Sequence, residues 1–287
     1  MRTIMFSKKK LKVVIQLVDK EIKFFAPDVN TLTFENLPIE ADINVVELPS
    51  GGNAKIKIYG ASKSHLRMIT TIQWKQPFIA QKAVYIYADD GEGYKLLFEG
   101  NIVNAFPRYE SAPDVYIDIE ANMGAYHNMK EVPPFSRKGE VPTSQVFRDI
   151  CADYGVDFVN NGVMTSCKNP YFDQHGLSNR LTAAAAAYNV YVKEFNNRVE
   201  IAPKAWYGKK WSFTKQSYIG YPQPTQTGIK INLDTIYAVN LDDYFNIDGS
   251  EVFYANDSWK IIKYGYSLST KIGGRWLMSI DGSRVFI

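Results

Sequence analysis

The sequence predicts a mainly β protein with an α+β insertion, in which two antiparallel β-barrel domains flank a small α+β unit. Three observations predict it. Short runs of alternating apolar and polar residues recur at both ends of the chain, cut by Gly, Asn and Asp turns. Helical periodicity is concentrated in the middle of the chain. Hydrophobic residues make up 46% of the 287 residues and aromatics 14%, enough apolar surface to offset the entropy of ordering.

Residues 11–18 and 21–25 are β-prone runs joined at Asp19-Lys20, a polar break that suits a hairpin. Residues 31–48 hold short apolar stretches with Pro38 and Pro49 as stops, before the turn cluster Ser50-Gly51-Gly52-Asn53. Residues 54–60 alternate as a half-buried strand should, and 62–69 read as a short helix capped by Ser62. A second β block follows. Residues 82–88 form a strand, Asp89-Asp90-Gly91-Glu92-Gly93 a hairpin turn, and 94–106 a returning strand interrupted at Glu99-Gly100, where a bulge or barrel bend is expected. Residues 114–121 alternate strictly. Short turns between these strands argue for a closed or nearly closed antiparallel barrel.

The character changes at Pro133-Pro134, which opens a loop rich in Pro, Ser, Lys and Gly and marks the expected domain boundary. The spacing predicts a helix over Thr143–Tyr154. Val146, Phe147, Ile150, Cys151 and Tyr154 share one face, and Gly155 stands at the C-cap. Residues 178–188 read as a second helix, with Ser178 as cap and an alanine run at 183–187 that packs and carries no chemistry. Residues 190–195 and 198–203, split by Asn196-Asn197, form a hairpin. The last third returns to strands at 228–233, 236–240, 251–254, 259–270 and 275–280, punctuated by Gly249, Gly273-Gly274 and Gly282. No repeat at a solenoid or propeller period is visible. The expected domains are residues 1–130 (first barrel), 131–205 (α+β insertion) and 206–287 (second barrel, drawing on strands from elsewhere in the chain if its own do not close it).

Composition also bounds function. The charge of +3, from 33 basic and 30 acidic residues, lacks the basic excess of a dedicated nucleic-acid binder. No apolar run is long enough for a transmembrane helix. The start of the chain carries Lys8-Lys9-Lys10 without an apolar signal core, so no secretory signal is expected. Lys8 to Lys12 read as a solvated terminus or strand edge. Cys151 and Cys167 are expected as reduced, largely buried thiols of a protein made in a cytoplasm.

The chemistry-bearing residues do not assemble into a motif. His65, His127 and His175 lie in different segments, and Cys151, Cys167 and His175 lack the spacing of a structural zinc site. The acidic runs Asp89-Asp90-Gly91-Glu92 and Asp242-Asp243…Asn246…Asp248-Gly249 do not match a calcium loop and read as solvated turns. Trp206, Tyr207 and Trp211 read as a packing cluster at a domain or subunit junction rather than a sugar-stacking platform. Sequence does not exclude a carboxylate pair for sugar hydrolysis, since its separation is set by tertiary structure. No catalytic, cofactor-binding or metal-ligating residue is assigned, and no enzyme activity is expected.

Three stretches in order carry a family resemblance. The first is Ala54-Lys55-Ile56-Lys57-Ile58-Tyr59-Gly60 followed by Ala61-Ser62. The second runs over residues 83–124 through Leu97-Phe98-Glu99-Gly100-Asn101-Ile102-Val103-Asn104-Ala105 to Glu120-Ala121. The third joins Gly220-Tyr221-Pro222 and Thr227-Gly228-Ile229 to residues 258–269 and 273–280. From about residue 11 onward the chain resembles baseplate hub proteins of tailed bacteriophages, the Mu-type and late-control-D-type family related to the hub of type VI secretion systems. Residues 232–250 depart from that family's turn pattern, and the chain looks short for it. The resemblance implies tail-tube-like barrels and a homotrimer whose six barrels form a ring. That ring joins the six-fold tail tube to the three-fold central spike, around a channel for tape measure and DNA. Implied partners are a tail tube or distal tail protein, the spike, the tape measure protein and other baseplate proteins. DNA is met only in transit, which a modest net charge suits because each neutralised phosphate would slow passage. The implied location is the virion tail baseplate, assembled in the host bacterial cytoplasm. The alternatives are a tail-associated cell-wall hydrolase or a host-surface carbohydrate-binding tail protein.

Overall fold

The structure, a computed structural model, describes residues 9–16, 31–70, 82–195, 197–204 and 208–284. The first β block contributes β1 (Lys10–Gln16), β2 (Thr31–Glu35), β3 (Ile39–Val46), β4 (Gly52–Tyr59), the short helix α1 (Lys63–Ile69), β5 (Ala83–Asp89), β6 (Lys95–Arg108) and β7 (Tyr116–Asn122). Apart from the bulged β6, these strands bury largely alternate residues, because successive side chains leave a strand on opposite faces. β3 buries Ile39, Ala41, Ile43 and Val45 while Asp42 and Asn44 face outward. Ser62 caps α1 as expected, its hydroxyl accepting the His65 N–H at 3.2 Å. The hairpin expected between 11–18 and 21–25 lies largely outside the described residues; β1 pairs with β2 and with β5.

The middle of the chain holds α2 (Ala125–Met129), β8 (Phe135–Ser136), β9 (Glu140–Pro142), α3 (Thr143–Tyr154), β10 (Asp157–Asn160), β11 (Ser166–Lys168), β12 (Tyr171–Phe172), α4 (Leu177–Tyr188), β13 (Val190–Glu194) and β14 (Arg198–Pro203). The C-terminal block adds β15 (Lys210–Thr214), β16 (Gln223–Pro224), β17 (Gly228–Leu233), β18 (Tyr244–Asp248), β19 (Ser258–Ser269) and β20 (Trp276–Arg284).

The strands of both β blocks belong to one sheet of thirteen strands. Its order is β16-β17-β20-β19-β3-β4-β7-β6-β5-β1-β2, with β18 and then β15 added alongside the start of β19. The seam is the antiparallel pairing of β3 with β19, from Val46 opposite Lys263 to Glu40 opposite Ser269. One apolar core runs through both blocks, from Leu11 and Ile56 to Phe245 and Ile280. The protein is thus mainly β with an α+β insertion. The insertion has its own core, in which Phe147, Ile150, Leu177 and Leu181 of the two helices meet Val199 and Ile201 of β14. Its three-stranded sheet, β10-β14-β13, is parallel at β10–β14 and antiparallel at β13–β14.

Several expectations are corrected. Residues 236–240 form no strand, because their donors go to side chains: Ile236 N–H to Asp90 Oδ2 at 3.0 Å and Tyr237 N–H to Met278 Sδ at 3.4 Å. Residues 251–254 are not a strand either. Phe253–Ala255 is a 3-10 turn, and Ser250 and Asn256 close the loop with reciprocal bonds of 2.8 and 2.9 Å. The strand of this region is β18, earlier in the chain. Glu99-Gly100 is not the irregularity in β6. The register shifts fall to either side, where Tyr87 faces Leu96 and Asn104 faces Glu120. Gly100 is small because a Cβ there would lie 2.7 Å from the Phe98 ring and 2.9 Å from the Asn122 carbonyl oxygen.

α3 spans the expected residues and ends at Gly155 in the left-handed region, φ 78°. α4 starts one residue earlier than expected, and Ser178 is not its cap. The Ser178 N–H instead donates to the Asn128 side-chain oxygen at 2.8 Å, so a residue of α2 caps this helix from outside.

Candidate functional site

The groups that could carry chemistry are dispersed. His65 stacks edge-on against Phe34, His127 Nδ1 lies 3.3 Å from the Tyr154 carbonyl oxygen, and His175 lines an open cleft beside Pro133. Cys151 and Cys167 are buried and unpaired with each other. Burial, with the charge of Glu194 nearby, pushes the Cys151 thiol up to about 12, so it is held as a thiol. No group of three or more metal-ligating side chains occurs among the described residues.

The two acidic runs are structural, and neither is a simple solvated turn. Asp89 Oδ1 accepts the N–H groups of Gly91 and Gly93 at 2.8 and 3.0 Å, which holds its carboxyl below the usual range. Asp90 reaches across the molecule. It accepts from Ile236 N–H and from Lys95 Nζ at 3.3 Å, while the same Lys95 donates to the Ile236 carbonyl. This turn therefore staples the first β block to the C-terminal block. Asp242 and Asp243 are buried. Asp243 accepts three donors, Lys209 N–H, Asn240 N–H and the Trp211 indole N–H, each at 2.9–3.0 Å. Asp242 pairs with Lys260 Nζ at 2.5 Å, the same Nζ lies 5.0 Å from the ring of Tyr191 of β13, and burial pushes the Asp242 carboxyl up against the pull of Lys260. The insertion is thereby tied to the C-terminal block by a polar junction. A sequence reading misses this, because Tyr191, Asp242 and Lys260 come from three separate segments.

Next to that junction lies an open cavity of about 540 Å³ lined by Lys193, Arg198 and Lys209 against Glu200 and Asp243. Burial pushes Lys193 down. The mixed charges leave the cleft without a dominant sign. Trp211 packs edge-on to Tyr237 with Lys209 Nζ 4.0 Å from its ring. It is a junction residue rather than an open platform; Trp206 and Tyr207 lie outside the described residues. At the other end of the sheet Lys12 is not an edge residue, since it faces Glu35 of β2 and Tyr87 of β5, whereas the exposed Lys10 is partnered only by Asp89 of β5 among the described residues. Lys10 pairs with Asp89 at 4.0 Å, and Lys12 sits over the rings of Tyr87 and Tyr94.

What the surface does offer is assembly-type features. Among the described residues β2 pairs only with β1, and β15 only with β18, so each leaves one edge of backbone donors and acceptors open. Around the ion pair of Lys215 and Glu251 an aromatic patch stands out, with Tyr221 at 61% and Phe253 at 85% exposure. Unpaired edges and exposed aromatics mark interaction surfaces rather than reaction centres.

This arrangement of sheet and insertion is known. The chain has the fold of phage tail proteins. It is similar to the prophage MuSo2 43 kDa tail protein from Shewanella oneidensis, with TM-score 0.62 and 10% identity over 95% of this chain and 96% of that one. It is equally similar to a tail protein from Neisseria meningitidis, with TM-score 0.62 and 8% identity over 96% of each chain. A third likeness is to the E. coli c3393 protein, with TM-score 0.59 and 8% identity over 87% of this chain and 74% of that one. That protein is described as a component of the type VI secretion system with structural similarity to the T4 tail proteins gp27 and gp5. No family model and no curated protein matches the sequence. The match covers 96% of each of these two tail proteins.

Proposed function

We propose that this chain is a structural protein of a phage tail and serves as its baseplate hub. The observation that carries the reading is the end-to-end likeness to solved tail proteins, through both β blocks and the insertion. Three copies form a ring. Read as domains 1–130, 131–205 and 206–287, each copy contributes two β units, so a trimer presents six to the tail tube and keeps three-fold symmetry for the central spike. Symmetric closure also disposes of the open edges of β2 and β15, which would otherwise template uncontrolled pairing. The exposed Tyr221 and Phe253 patch supplies apolar contact to a neighbouring tail protein. The tape measure protein and DNA pass through the ring, and the role is non-enzymatic.

Light scattering of the full chain, alone and with the central spike protein of the same tail, tests this. The expected particle contains three chains of 32.6 kDa. A chain that stays monomeric with every neighbouring tail protein overturns the hub. Clearing of peptidoglycan in a zymogram replaces it with the hydrolase reading.

A further inference from the structure

Helix α2 is the joint between the first β block and the insertion. On one side the Tyr126 N–H donates to the Asn101 side chain of β6 at 3.3 Å. On the other, Asn128 caps α4 through the Ser178 N–H and donates its Nδ2 to the Ser178 hydroxyl at 2.8 Å. That hydroxyl in turn donates to Glu194 Oε2 of β13 at 2.6 Å. Two glycines make the approach possible. A Cβ on Gly124, φ 63°, would collide with Glu194 Oε1, and one on Gly176, φ 80°, would lie 2.9 Å from the Asn128 carbonyl oxygen. The chain Asn128–Ser178–Glu194 is therefore a built contact, with glycines at the two points where its elements meet.

Its terminal group is poorly satisfied when charged. Glu194 Oε1 is buried and has no hydrogen-bond partner, and Oε2 has the single hydroxyl. The groups that face it are few. α4 offers the Ser178 hydroxyl and α2 offers Asn128, both neutral, while the buried His127 of α2 has its Nδ1 3.3 Å from the Tyr154 carbonyl oxygen. α3 offers Cys151, itself held as a thiol. On β14 the opposite residue is Val199. No cation pairs with it among the described residues. An ionised carboxylate so placed loses most of its hydration and gains little in return.

We propose that Glu194 is a protonation-controlled latch: neutral, it holds α2 against the insertion, and ionised, it loosens α2 from α4. The inference does not depend on the hub reading. Burial pushes the Glu194 carboxyl up to about 7, with the Ser178 hydroxyl opposing. In the opened joint the carboxyl returns to the ordinary carboxylate range. The closed form therefore binds one more proton between that range and about 7. Opening is least favourable at low pH and increases with pH, about tenfold per pH unit across this window, then levels off above it.

Hydrogen exchange of α2 and the first turn of α4, corrected for intrinsic rates, measures the opening between pH 5 and 8.5. The full-length wild-type chain is expected to show the rise and plateau. Glu194→Gln keeps the shape and removes the charge, so its opening is expected to be flat and as low at pH 8.5 as wild type at pH 5. Ser178→Ala removes the one bond to the carboxylate, so the plateau is expected at higher pH. A flat wild-type profile, or a Gln variant that tracks the wild type, overturns the latch. If Ser178→Ala leaves the midpoint in place, Glu194 is not the titrating group and the proposal fails equally.

Discussion

The β body and the insertion are stabilised in different ways. The body buries alternating Ile, Val, Leu and Phe along a sheet whose ladders pair the inner strands on both sides. Its buried polar side chains are few and scattered, with Asp242 and Asp243 beside the insertion, Asn101 beside α2, and Lys82 and Ser250 within the body itself. The insertion instead carries polar groups inside its own packing. Arg180, 1% exposed, has no carboxylate partner among the described residues. It donates to the carbonyls of Gln174, Pro133 and Val132 at 3.1–3.2 Å and stacks on Tyr154. A sheet this large gains stability from area, whereas the small insertion gains definition from hydrogen bonds that only one arrangement satisfies.

Four substitutions sharpen that contrast. The largest effect belongs to the body. Phe245 is fully buried, packs on Phe213 at 5.7 Å and abuts Gly282. Phe245→Ala is expected to cost about 3–5 kcal/mol in urea unfolding. Next comes Arg180→Leu, which keeps bulk but strands three carbonyl groups; about 3 kcal/mol is expected. Exchange protection should then be lost over the two long helices first, with the body intact. Simultaneous loss in both regions would show that the two cores unfold as one. Gly155→Ala follows. Its backbone is left-handed, but a Cβ there meets nothing within 4 Å, so only the conformational cost of about 1–2 kcal/mol is expected as a drop in melting temperature. Smallest is Arg137→Ala, which breaks an exposed pair with Asp149 at 2.8 Å; a change of about 0.5 kcal/mol or less is expected.

The parts legible in the sequence are those set by local periodicity. α3 could be read from five buried positions and Gly155, and β17 from strict alternation over six residues. What escaped reading depends on partners distant in the chain. β15 was hidden because its only pairing among the described residues is a parallel one to β18, with no hairpin to announce it. Residues 236–240 look like a strand until Asp90 and Met278 take their donors. Ser178 looks like a cap because caps are usually local, yet Asn128, fifty residues earlier, does that work. The candidate site was the least legible of all. Aspartates beside glycines suggested solvated turns, and only the fold shows Asp90 and Asp242 turned inward as ties between segments.

The seam between β3 and β19 also has a history in time. β3 ends at Val46, and the strand that covers its second edge begins at Ser258. On a ribosome making roughly 5–20 residues per second, that edge stays open for roughly ten to forty seconds before its partner exists. During that interval β3 can bind β4 on one side only. The newborn chain thus passes through a stage in which its central strand is a sticky border. Its yield in a cell depends on what shields that border until the last tenth of the polypeptide arrives.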